Sequence, residues 1–127
     1  MTAFTVEDAR RTLTDVFAPW IVDLGLEPLG FDAAGGDFLL PQNPRLVHVG
    51  GVICGQATAS AADTCAVVTL AALNGRFRVC TTVDLTTHFI RPLKPARWRS
   101  ASRCCRTAGA WPIRASRCAR RATTAPR

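Results

Sequence analysis

Residues 97–127 contain no acidic residue and one large aliphatic, Ile113, in a chain of 127. A segment so poor in apolar side chains cannot supply a core face of its own, and from Arg97 onward no strand or helix periodicity is legible. Other absences bound the remainder. The acidic N-terminus lacks the apolar stretch of a secretory leader, and the Ala-rich run around Asp63 carries a carboxylate and several hydroxyls, too polar to span a bilayer. Neither Cys54, Cys65 and Cys80 nor Cys104, Cys105 and Cys118 have paired zinc-ligand spacing. No metal site, no disulfide framework and no internal repeat is expected, and a cytoplasmic protein is.

The charge is unevenly placed. The formal net charge is +7, but residues 97–127 hold nine arginines, so residues 1–96 carry seven basic against nine acidic groups. Residues 1–96 therefore read as one mildly acidic domain, and 97–127 as a basic low-complexity tail.

Within residues 1–96 the periodicities are clear. Thr5-Val6-Glu7-Asp8 reads as a capping box, and Val6, Ala9, Leu13, Val16, Phe17 and Trp20 follow helical spacing up to Pro19. Leu26–Asp32 and Asp37–Leu40 read as two strands joined around Ala33-Ala34-Gly35-Gly36. Pro41, Asn43 and Pro44 open a loop. A long helix of small apolar residues runs from Gly55 to Leu73 and stops at Asn74-Gly75. Arg76–Ile90 alternates as a strand pair or one long strand, with Val83, Leu85, Thr87 and Phe89 on one face and Thr82, Asp84, Thr86 and His88 on the other.

The functional lead is Asp63, a single carboxylate in a helix expected to be buried nearly all round. It lies about 12 Å along the helix axis from Gly55, where unpaired amides and the positive end of the dipole suit an oxygen acquiring negative charge. The bland alternative is a carboxylate satisfied by Ser60 or Thr64. His48 is a candidate base or a loop histidine, Asn43 a candidate substrate contact or a turn residue, and Cys54 a helix-entry residue or a thiol at a helix start.

These residues resemble the hotdog-fold thioesterases of the phenylacetic-acid-degradation type. In that family a His-Gly-Gly loop opens the central helix, an acidic residue follows the first glycine by eight positions, and a Thr-bearing strand ends in an F-L-R-P-like sequence. Gly55 and Asp63 have that separation, Thr82 opens Thr82-Val83-Asp84-Leu85, and Phe89-Ile90-Arg91-Pro92 closes the segment. The resemblance covers roughly residues 15–95. Cys54 stands where the family has histidine and Gln56 where it has the second glycine; another register puts His48 on the motif but places Asp63 too far along.

The resemblance implies an α+β hotdog fold, an antiparallel sheet wrapped around a central helix, with the last two strands missing or replaced by the Arg-rich tail. It implies acyl-CoA hydrolysis by a homodimer or homotetramer without metal or redox cofactor. Asp63 would be base or nucleophile, Gly55 would polarise the carbonyl and Thr82 would orient the water or carboxylate. Cys54, Gln56, Asn43 and His48 would line the substrate site, while Arg91 and Lys94 would meet CoA phosphates or form no more than a solvated strand end. A non-catalytic acyl-CoA binder, an inactive truncated thioesterase, a dehydratase and a nucleic-acid-binding arm built on the tail arginines with Trp98 and Trp111 are the rival readings.

The tail has a second interpretation. Taking the third base of each codon with the first two of the next, and G or C at third positions where allowed, Ala96–Cys105 can be re-read as PVEVRVEVL, an alternating strand. Arg106–Pro112 permits QDGRRVA, a turn and the start of another. A displaced reading frame explains the change of composition.

Overall fold

A computed structural model of the protein describes residues 3–105 and 114–115. Helix α1 (Val6–Val16) begins as its sequence demands. The Thr5 hydroxyl accepts from the Asp8 amide at 3.1 Å, and the Asp8 carboxylate accepts from the Thr5 amide at 2.9 Å. These reciprocal bonds satisfy donors that a helix start otherwise leaves orphaned. Pro19 opens the short α2 (Pro19–Val22), where its missing N–H costs nothing.

Strands β1 (Glu27–Asp32) and β2 (Gly35–Leu40) form an antiparallel hairpin. The turn is held by Asp32, whose Oδ1 accepts from the amides of Ala34 (2.7 Å) and Gly35 (2.8 Å). Gly35 and Gly36 belong to β2 and not to the turn, so the strand starts two residues earlier than its sequence suggests. At Gly35 glycine is obligatory, because any Cβ would collide with the Ser102 carbonyl on the neighbouring strand.

Helix α3 (Gly55–Leu73) is the central element. It ends as expected at Asn74 and at Gly75, which takes φ +70°. Its buried residues include Ala57, Ala61, Cys65 and Val68, one face at three- and four-residue spacing. That face packs on the sheet through two apolar clusters. Cys65 and Val68 meet Phe38, Ala9 and Leu13, while Ala57 and Ala61 meet Leu24, Leu40 and Ile53. Burial of a side chain such as Phe38 or Val68 contributes about 1.5–3 kcal/mol. The other face of α3 is half-buried, so the expectation of a helix buried nearly all round is corrected.

The expected sheet around a central helix is present, but two strand assignments change. Residues 76–90 form no strand, and no backbone hydrogen bond joins residues 77–90 to another described residue. Val79, Val83 and Ile90 lie almost fully in solvent. Alternation supplies a face but not a partner: a strand needs an edge with which to pair. Conversely, Trp98–Cys105, where no strand was legible, forms β3, paired with β2 from Gly35↔Arg103 to Leu40↔Trp98. Main-chain pairing does not depend on side-chain type, and the open edge of β2 provides the template. The two-residue β4 (Arg114–Ala115) completes the antiparallel order β1-β2-β3-β4. Arg103, one of the tail arginines, reaches Asp37 on β2 at 3.2 Å, an exposed pair worth about 0–1 kcal/mol. The expected second strand over Arg106–Pro112, along with Trp111 and Cys118, lies outside the described residues.

Candidate active site

Asp63 projects from the half-buried side of α3, not from its core face. The expectation of a helix buried nearly all round therefore does not extend to this carboxylate, which is half-buried. The neighbouring hydroxyls do not satisfy it. Ser60 donates to the Gln56 carbonyl at 2.7 Å and Thr64 to the Ser60 carbonyl at 2.8 Å, both bonding back along the helix. The partner is Thr82, nineteen positions away, whose hydroxyl donates to Asp63 Oδ1 at 2.6 Å. A hydroxyl donating to one carboxylate oxygen fixes the side chain's rotamer and leaves the other oxygen able to accept a proton.

The start of α3 is the second feature. Cys54 is its N-cap residue but makes no side-chain capping bond. Its amide donates to the Leu46 carbonyl at 2.8 Å, and the Ile53 amide donates to Leu93 at 2.8 Å. The second bond draws the end of the Thr82–Lys94 segment beside the helix entrance, which places the exposed Arg91 and Lys94 on that flank. Phe89 lies over the entrance itself: a Cβ built on Gly55 would stand 3.2 Å from Phe89 Cζ. This contact was not foreseen, since alternation placed Phe89 simply on a strand face. Its only sequence signal is its place at the head of Phe89-Ile90-Arg91-Pro92.

The structure thus brings Asp63 to Thr82, and Gly55 to the segment carrying Phe89, Arg91 and Lys94. Asn43 and His48 serve the loop before α3. Asn43 Oδ1 accepts from the Arg45 amide at 3.0 Å and its Nδ2 donates to Asp23 at 3.3 Å. His48 Nδ1 accepts from the Gly50 amide at 2.9 Å. Both side chains are therefore engaged in turn geometry. Gln56 is exposed in the first turn of α3.

Neither of two surface grooves includes Asp63, Thr82 or Gly55. One of about 660 Å³ lies between α1 and Gly75–Phe77, and one of about 260 Å³ is lined by Leu13, Ile21 and Leu26. Among the described residues no three His, Cys, Asp or Glu side chains converge as a metal site. None of the described helices is long and apolar enough to cross a membrane. Cys54 and Cys80 are free thiols.

A sequence model of the thioesterase superfamily matches residues 50–117, just over half of the chain. The match begins in the loop before α3 and runs beyond residue 95, where the resemblance read from motifs stops. Among solved structures, a thioesterase of Haemophilus influenzae is similar with a TM-score of 0.70 at 16% identity, over 84% of this chain and 73% of that one. A Pseudomonas aeruginosa protein is 26% identical, with a TM-score of 0.64 over 81% and 77% of the two chains. The Escherichia coli PaaI protein, from the phenylacetic acid degradation operon, gives a TM-score of 0.57 at 16% identity over 69% and 66%. No curated protein matches the chain.

Proposed function

Because the chain belongs to the thioesterase superfamily and has the hotdog architecture, we propose that it is an acyl-CoA thioester hydrolase whose working carboxylate is Asp63. The observation that carries this reading is the 2.6 Å bond from Thr82 to Asp63 Oδ1, which unites two motif residues from separate segments.

In the hydrolysis, water adds to the thioester carbonyl carbon while its proton passes to Asp63. The tetrahedral oxyanion is met by the Gly55 amide at the positive end of α3. Collapse breaks the C–S bond, and the proton leaves with the CoA thiolate, giving a carboxylic acid and a free thiol. Direct attack by Asp63 Oδ2, through a mixed anhydride that water then cleaves, uses the same groups. Thr82 orients the carboxylate in either route.

One copy of the chain does not assemble this constellation. Gly55 and Asp63 are separated by about 12 Å along one helix, whereas reacting atoms must approach within about 3–3.5 Å. A homodimer or homotetramer, in which Gly55 of one copy faces Asp63 of another, meets that requirement. Arg91 and Lys94, beside the helix entrance, then supply charge for CoA phosphates, and Cys54 and Gln56 border the carbonyl. Asn43 and His48 shape the loop that leads there. Free thiols at Cys54 and Cys80 suit the cytoplasm.

Asp63→Asn tests the reading. Hydrolysis of acyl-CoA should fall about 10²–10⁴-fold, with acyl-CoA binding retained. Undiminished hydrolysis would remove Asp63 from the mechanism, and a parent chain that binds acyl-CoA without hydrolysing it would favour a non-catalytic acyl-CoA binder.

A further inference from the structure

Strand β3 has a pattern of exposure that its own side chains do not explain. Trp98 and Ser100 are half-buried between the exposed Arg97 and Arg99, and Ser102 is buried between the half-buried Ala101 and Arg103, so each even position is more enclosed than its neighbours. Opposite them β2 is buried at nearly every position, including Phe38, Leu39 and Leu40. Two serines on the inner face of a strand packed against α3 forgo apolar contact that the site is built to receive.

We infer that the chain from about Ala96 onward is read in a displaced frame, and that the parent sequence places apolar residues on this inner face. The genetic code imposes much of the result. Tryptophan and cysteine codons both begin TG, so a codon formed from the preceding third base and TG encodes only valine, leucine or methionine. That fixes apolar residues at positions 98 and 104, and leucine at 105, whatever synonymous codons are used. Serine codons of the TCN set give phenylalanine, leucine, isoleucine or valine at 100 and 102. Positions 99 and 101 yield only alanine or glutamate, and cysteine, arginine, serine or glycine.

The displaced reading thus alternates in the same phase as the burial of β3. A one-residue slip would have put side-chain exposure and codon structure out of register. The remaining frame gives glycine from the last two bases of the Trp98 codon and imposes no such alternation. A parent strand of this kind would press apolar side chains at 98, 100 and 102 towards α3. Continued through Arg106–Pro112, the same displacement allows a turn and a following strand, whose edge the unpaired segment at residues 77–90 lacks among the described residues.

The test is the nucleotide sequence of the codons from Leu93 to Arg114, read on independent clones, followed by thermal unfolding of the full chain beside one restored by inserting a single base between the codons for Leu93 and Arg97. TCN codons at Ser100 and Ser102, a displaced frame free of stop codons through Pro112, and a midpoint raised by about 5 °C or more are expected. AGC or AGT at either serine would put lysine, glutamine, glutamate or a stop at an inward position and overturn the inference. So would a stop codon before Pro112, or a restored chain that melts no higher. None of these readouts depends on thioester hydrolysis, so the catalytic reading stands or falls separately.

Discussion

At the residue scale, the hydrogen bonding of Asp63 is decided by the direction in which nearby hydroxyls point. Ser60 and Thr64 donate backwards to helix carbonyls, leaving Thr82 as the hydroxyl partner of the carboxylate. The Gly55–Asp63 spacing was legible in the sequence, and so was Thr82 as a motif residue. The resemblance had Thr82 orient the water or carboxylate; its direct bond to Asp63 Oδ1 depends on the path of a segment that makes no regular structure. Phe89 over Gly55 has the same cause. Replacing Gly55 with alanine would place a methyl 3.2 Å from the ring, and Phe89, 61% exposed, is free to yield. Folding stability should therefore be unchanged or raised by about 0.4–1 kcal/mol. Hydrolysis should drop by up to about a hundredfold, since the displaced ring and the new methyl disturb the carbonyl's position. Thermal unfolding and steady-state kinetics on Gly55→Ala check both parts.

At the scale of elements, short-range chemistry was read well. The Thr5/Asp8 box, the β1–β2 hairpin and the Asn74-Gly75 stop each rest on contacts within a few residues. Two of these devices depend on pH. Backbone hydrogen bonds from Ala34 and Gly35 hold the Asp32 carboxyl below its ordinary value, and the Thr5 amide does the same for Asp8. Both folded values lie below the unfolded ones, so the unfolded chain binds more protons in the interval between them. Their contribution is complete above about pH 5 and is lost as pH falls through the unfolded and then the folded values. In Asp32→Asn, the difference in urea midpoint between about pH 6 and pH 3 should shrink relative to the parent. An identical difference in the two proteins would exclude Asp32 from the acid response.

Longer-range elements were read less well, for one physical reason. Residues 76–90 have strand alternation but no described backbone partner, whereas Trp98–Cys105 lacks alternation but lies against the open edge of β2. Pairing between strands is a property of two segments, and a single sequence displays each segment alone.

At the scale of the whole molecule, the unpaired segment carries Val79, Val83, Leu85, Phe89 and Ile90 into solvent. An apolar stretch with free backbone groups is a template for another chain. Amides of residues 77–90 should exchange rapidly in dilute protein and become protected as concentration rises, if copies assemble through this segment. Hydrogen exchange at two concentrations measures it, and exchange that is equally fast at both would rule out assembly through these residues. The tail does not behave throughout as a free cationic arm, since Arg103 is occupied by Asp37 and by the Gly36 carbonyl.

We propose that Asp63 and Thr82 act as one catalytic unit. A double-mutant cycle on acyl-CoA hydrolysis tests it most directly, with Asp63→Asn, Thr82→Val and the pair measured beside the parent. If Thr82 works only by orienting the carboxylate, Thr82→Val should lower kcat by about 10–100-fold in the parent and by little in Asp63→Asn, a coupling of about 1–3 kcal/mol. Additive losses, or a Thr82→Val enzyme as fast as the parent, would contradict it.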